Sequence, residues 1–367
     1  MLLPRAMTRA RTLQAGNHGS LGYYESLLFS RPGRVNGKAN NFHSFFLSMQ
    51  VRSDNSHCRP HFAHRIAKLL FFILCRAYIP QERIAMTITT RLFGKSGLPV
   101  TQVGLGGEGV LRTYGREPEA KTVIEQAAAQ GITYFDSAQA YAGSQGYYGN
   151  FWRGHQELRS GIFQTSKSAA RDYQGARADL AESLETMGLD RLDLWQIHDL
   201  RTGQDIEEIE GPGGALQAFV EAKDAGLVRF LGVTGHHAPQ ILEHAVKNWP
   251  VDSVLLPVNP AEAVLGGFLD RVMAAAKDCG LAVIAMKVLG GSHYISQRDG
   301  VTAELLLRFA LSQEVSTAIV GCASDREVEA LARVGRDFQH LTEDEEKRLL
   351  DLFRPHARRL AYYRGAI

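Results

Sequence analysis

The sequence predicts an α/β fold, a (β/α)8 TIM barrel with an N-terminal β-hairpin cap and a C-terminal helix, and three observations predict it. The first is a repeated unit of helix, glycine and strand. Helical segments end at Gln130-Gly131, Met187-Gly188, Ala225-Gly226 and Cys279-Gly280, each followed directly by an apolar run. Glycine tolerates the left-handed conformation that commonly closes a helix. Strands separated by helices in this way run parallel. The second is the count: apolar runs at about 100–105, 133–136, 163–167, 192–198, 228–234, 253–258, 282–288 and 317–320 make eight strands, the number and spacing of a barrel of about 250 residues. The third is that no G-x-G-x-x-G follows the first strand, which argues against the open doubly wound rival.

The remaining elements follow in chain order. A hairpin over 88–98, turning at Gly94-Lys95-Ser96-Gly97, precedes the barrel. Leu180, Leu184 and Met187 share one helix face before Gly188, and Leu216, Phe219 and Val220 share another before Gly226. The acidic run Asp205–Glu210 after the fourth strand is expected to be a solvated flap. Thr342 and Glu345, behind Leu341, form a capping box that opens a final helix.

Composition divides the 367 residues into two parts. Residues 1–85 carry 12 Lys/Arg against only Glu25, Asp54 and Glu82, and they lack a sustained apolar period. Their apolar run Leu69–Cys75 is too short to span a bilayer. The expectation is a start assigned too early, with the natural chain beginning near Met86, or else a disordered or targeting extension; residues 86–367 form the barrel. The balance of 41 Lys+Arg against 39 Asp+Glu argues against nucleic acid as a partner. Four cysteines without a C-x-x-C suggest neither a disulfide framework nor a metal, and a reducing cytoplasm is the default location.

Asp136, Lys167 and His198 each close an apolar strand, and Tyr141 follows the first of them by five residues. In a parallel barrel such residues gather at the C-terminal mouth, where the chemistry takes place. The set suits proton delivery to a carbonyl. A free phenol titrates near pH ~10, so a nearby Lys167 is expected to lower the Tyr141 value while Asp136 keeps the lysine charged. A neutral His198 donates a hydrogen bond to the substrate oxygen as charge develops there. None of these side chains supplies a hydride, so the reductant is a cofactor.

At these residues the chain resembles the aldo-keto reductase family. Gly131-Ile-Thr-Tyr-Phe-Asp-Ser-Ala-Gln-Ala-Tyr141 is similar to its G-x-x-x-x-D-[ST]-A-x-x-Y signature, Thr165-Ser-Lys167 to its lysine strand, Gln196-Ile-His-Asp199 to its histidine strand, and Val228–Gly235 to its fifth strand. The resemblance implies a hairpin under the barrel's base, Asp136, Tyr141, Lys167 and His198 as catalytic residues, and a nicotinamide cofactor extended across the mouth. It places Thr234, Gly235 and Asn259 near the nicotinamide, Lys287 and Leu289 near the pyrophosphate, and Gly321, Ser324 and Arg326 near the adenosine end. Gly235 stands for the family's usual asparagine and Leu255 for a glutamine. NADPH is the expected cofactor, with NADH the alternative because Glu327 would oppose a 2′-phosphate.

The resulting function is NAD(P)H-dependent reduction of an aldehyde or ketone to an alcohol, with Tyr141 as proton donor. The alternative is a cofactor-binding regulatory subunit of the channel β-subunit type with little turnover. A lyase using Lys167 as a Schiff-base amine is disfavoured by the neighbouring Asp136. Tyr114, Tyr147, Tyr148, Phe151, Trp152, His293 and Tyr294 either line an apolar substrate pocket or close the mouth by packing.

Overall fold

The computed structural model describes residues 87–365; the extension before Met86 and its expected boundary lie outside them. Among the described residues, ten strands form two sheets. β1 (Thr90–Leu92) and β2 (Pro99–Thr101) pair antiparallel around a turn at Gly94–Ser96. β3 (Val103–Gly109), β4 (Tyr134–Phe135), β5 (Phe163–Ser168), β6 (Leu192–Ile197), β7 (Val228–Thr234), β8 (Ser253–Pro257), β9 (Ala282–Met286) and β10 (Thr317–Cys322) close a parallel barrel in that order, with β10 returning to β3. The expected first strand, 100–105, is two elements. The chain passes from hairpin to barrel at Gln102, whose side chain donates to Gly335 O (2.9 Å) and accepts from Arg91 Nε (3.1 Å). The unbroken apolar run conceals that change of partner.

Strand side chains alternate between two environments, as the two-residue period demands. Inward-facing Tyr134, Phe163, Leu194, Leu255, Ala282, Ile284 and Ile319 form the barrel's inner cluster. Phe93, just before the hairpin turn, joins them and closes the base, its ring 4.8 Å from Phe163 and 5.5 Å from Phe230. Outward-facing residues pack under the helices; Trp195 stacks on Phe219 at 3.6 Å. Burying each such side chain contributes about 1.5–3 kcal/mol.

Between strands, Gly131, Gly188, Gly226 and Gly280 take positive φ of 82°, 64°, 73° and 69° where the sequence places helix ends. Helix Tyr173–Met187 buries Leu180 and Met187, and helix Ala215–Asp224 buries Phe219. The capping box at Thr342 and Glu345 opens helix Glu343–Phe353, and Arg308 grips Glu345 through both carboxylate oxygens at 2.9 and 3.1 Å.

One expectation changes, and one pair of alternatives is decided. The acidic run is not a flap but the helix Gly203–Glu210, opened by a capping box between Thr202 and Asp205 and tied to Arg171 at 3.0 Å. Tyr147, Tyr148, Phe151 and Trp152 lie buried in the helix Ser144–Gly154, so they pack against the core and do not line a pocket. Tyr294 is also buried, while Tyr114 and His293 are exposed. No helix among the described residues is long and apolar enough to cross a membrane.

Candidate active site at the barrel mouth

The same alternation that turns Tyr134, Phe163 and Leu194 inward brings Asp136, Lys167 and His198 to the same side at the strand ends. Asp136 and Lys167 are buried together. The ammonium donates to Asp136 Oδ1, Asp136 Oδ2 and Ser137 O, each at 2.7 Å, so all three of its hydrogens are directed. Thr165 Oγ1 adds a hydrogen bond to Asp136 Oδ1 at 3.0 Å. Burial draws the Lys167 pKa down from its ordinary value, and the attraction of Asp136 opposes it.

Tyr141 and His198 complete the group. The phenol ring centroid lies 4.7 Å from Lys167 Nζ, and the two rings meet edge to face with centroids 5.5 Å apart. Gly107 makes the phenol's position possible, because a Cβ there would come within 2.6 Å of the ring. Across the mouth, the Arg112 guanidinium sits 4.8 Å from the same ring while pairing with Glu108 at 2.7 Å. Burial first, then the charges of Asp136 and Glu108, push the Tyr141 pKa well above the ordinary phenol value, and Arg112 pulls against them. The expected net lowering is therefore reversed, and Asp136, in contact with the ammonium, offsets much of the Lys167 charge beside the ring. Burial, reinforced by the Lys167 charge, lowers the His198 pKa to about 3, so its imidazole is neutral at physiological pH.

The residues expected to hold a cofactor divide into three sets. Thr234 is buried at the end of β7, and its Oγ1 accepts from Asp199 N at 2.8 Å. Gly235 beside it has little room for a side chain, since a Cβ would lie 3.0 Å from Leu200 O. Lys287, half-buried with φ 55°, Ser324 and exposed Arg326 stand after β9 and β10. Ser324 caps the helix Asp325–Asp337, and the Glu327 carboxylate accepts from Ala323 N at 2.6 Å. The third set is occupied by packing. Asn259 is fully buried, capping the helix Pro260–Leu265 and donating to Tyr363 Oη (2.8 Å) and Lys287 O (3.2 Å). Leu289 packs against the main core, and Gly321 lies where a Cβ would meet Glu108 C at 2.5 Å.

Several side chains at the mouth escape the sequence reading. Arg112 owes its place to the turn after β3, and Gly107 lies within β3 beneath the Tyr141 ring; no local pattern marks either. Tyr363 and Arg364 reach back from the C-terminus to Glu262, Tyr363 at 2.8 Å. Asp199, His236 and His237 cluster after β6 and β7. The double histidine directly after Thr234-Gly235 is the one visible signal for them.

Comparison with known proteins agrees with this architecture. Residues 102–299, more than half of the chain, match the sequence profile of the aldo/keto reductase family. The chain is 28% identical over 221 residues to an aldo-keto reductase of Strobilurus tenacellus, covering 56% of this chain and 62% of that one. It is 28% identical over 222 residues to a Schizosaccharomyces pombe aldo-keto reductase named for NADP(+), with the same shares of 56% and 62%. It thus spans somewhat less than two thirds of the length of these relatives. A solved aldo-keto reductase from Bacillus halodurans superposes with a TM-score of 0.60 at 21% identity, over 72% of this chain and 96% of that one. On the profile match, with a barrel fold to agree, the chain belongs to the aldo/keto reductase family.

Proposed function

We propose that the protein is an NAD(P)H-dependent oxidoreductase that reduces an aldehyde or ketone to an alcohol, with Tyr141 as the proton donor. The observation that carries this is the meeting of one phenol with a buried Lys167–Asp136 pair and a neutral imidazole at the barrel mouth. A nicotinamide cofactor, when bound, supplies the hydride. The rim suits such an anion: Lys287, Arg326, Ser324 and the amino end of the helix Asp325–Asp337 offer positive charge and donors. NADPH is the proposed cofactor, supported by Arg326 and by the fission yeast relative's name.

The chain's own residues handle the proton. His198, neutral, donates a hydrogen bond to the carbonyl oxygen and polarises it. Tyr141 retains its proton until negative charge appears on that oxygen, because burial and nearby carboxylates oppose its ionisation. Once the proton is transferred, the phenolate faces Lys167 and Arg112. Asp136 fixes the lysine and prevents it from acting as a free amine nucleophile. The free cysteines Cys279 and Cys322 suit a reducing cytoplasm.

Titrating the protein with NADPH and NADH by fluorescence quenching, then following reduced-cofactor absorbance with a panel of aldehydes and ketones, tests the reading. Saturable binding and turnover on the order of 1 s⁻¹ or faster are expected. Tight cofactor retention with no carbonyl consumed would contradict it and favour a cofactor-binding regulatory role.

A further inference from the structure

A second group of reactive side chains lies one residue past His198 and is unused by the proton chemistry. Asp199 follows β6 with φ 57°, and His236 and His237 follow β7. Asp199 Oδ1 is 3.2 Å from His236 Nε2 and 3.4 Å from His237 Nε2, and the three atoms lie within 4.8 Å of one another. Asp199 Oδ1 and His237 Nε2 are both buried with no hydrogen-bond partner.

The tautomer of His236 sharpens the problem. Its Nδ1 lies 2.8 Å from Tyr363 O. A carbonyl oxygen only accepts, so Nδ1 carries the hydrogen. In a neutral ring Nε2 then presents a lone pair, and it is aimed at a carboxylate oxygen that is also an acceptor. Two acceptors this close repel each other unless a cation lies between them.

We propose that Asp199, His236 and His237 form a binding site for a divalent transition-metal ion of the zinc class. Two imidazoles and a carboxylate are a donor set such ions favour, and three protein ligands leave one position open for water or a substrate oxygen. A tetrahedral ion with bonds of ~2.0–2.1 Å holds its ligand atoms ~3.3 Å apart, close to the two separations observed here. The Tyr363 carbonyl on Nδ1 is the outer contact that fixes a ligating imidazole's tautomer. Arg201 occupies Asp199 Oδ2 (2.8 Å to Nε), leaving Oδ1 as a single-atom ligand. Magnesium and calcium, which require six or more mostly oxygen ligands, do not suit the site. The ligands come from two neighbouring strand ends, so no compact motif announces them in sequence. The site also adjoins Thr234, whose Oγ1 holds the Asp199 amide.

The test uses the full chain, stripped with a chelator and kept free of nicotinamide cofactor. Co2+ is titrated by visible absorption, and Zn2+ by competition against a chromogenic chelator. One equivalent with the intense spectrum of a four-coordinate site is expected, together with a Zn2+-dependent rise in melting temperature that Mg2+ does not reproduce. His237→Gln and Asp199→Asn should each weaken that equivalent by roughly 100-fold or more, with circular dichroism confirming the fold. Two variants on different strands keep the test open if one fails to fold. Wild type and variants binding equally, through histidines elsewhere in the chain, would overturn the proposal, as would a wild type that binds no Co2+ tightly.

Discussion

Lys167 shows how a residue's role depends on what surrounds it. A lysine near a phenol is expected to acidify it, but here every ammonium hydrogen is directed at Asp136 or Ser137. Arg112, exposed over the phenol ring, is the cation that lowers the Tyr141 pKa. The prediction at this scale is that Arg112→Leu shifts the basic limb of the kcat pH profile for carbonyl reduction to higher pH. The sign follows from charge: removing a cation disfavours the phenolate and raises the pKa further. A profile that does not move would show that Arg112 leaves the phenol untouched. Asp136, Lys167 and His198 meet at the mouth as expected because strand parity and strand ends fix their direction, while Tyr141, in the loop after β4, was legible only from its five-residue spacing to Asp136. Arg112 was not, because the turn after β3 puts it there; Gly107, inside β3, was not, because its role comes from the Tyr141 ring 34 positions away. Asn259 was legible as a residue but not in its bonding, since its partner Tyr363 lies 104 positions away.

At the scale of elements, the eight barrel strands follow the apolar runs to within a few residues, and β7 spans the expected 228–234. Periodicity and glycine helix stops carry that information locally. The first run misled because hairpin and barrel strands are both apolar, and the acidic run misled because its cap, Thr202 with Asp205, was outweighed by its charge. Two predictions belong here. Phe93→Ala should cost about 3–5 kcal/mol in denaturant unfolding, the usual effect of deleting a buried phenylalanine. A loss below about 1 kcal/mol would mean that the hairpin does not seal the barrel. At the β10 end, Arg326→Ala should weaken NADPH by roughly ten- to hundredfold while sparing NADH, as loss of a charge-assisted phosphate contact implies. Glu327→Arg should strengthen NADPH. Equal loss of both cofactors in the Arg326 variant would make that residue structural.

At the scale of the whole molecule, residues 87–365 contain a closed barrel, a sealed base and a continuous helical coat. The expectation that residues 1–85 add nothing to this rests on their basic, aperiodic composition. A chain beginning at Met86 should match the full-length protein in melting temperature and cofactor affinity; a drop of several degrees would assign the segment a place in the fold. The central claim, that Tyr141 delivers the proton to a carbonyl at this mouth, is tested most directly by Tyr141→Phe. With NADPH and an aldehyde that the wild type reduces, the variant should keep its melting temperature and cofactor dissociation constant. Its kcat should fall by about 10²–10⁴, the usual consequence of removing a general acid. A kcat within tenfold of wild type would contradict the account.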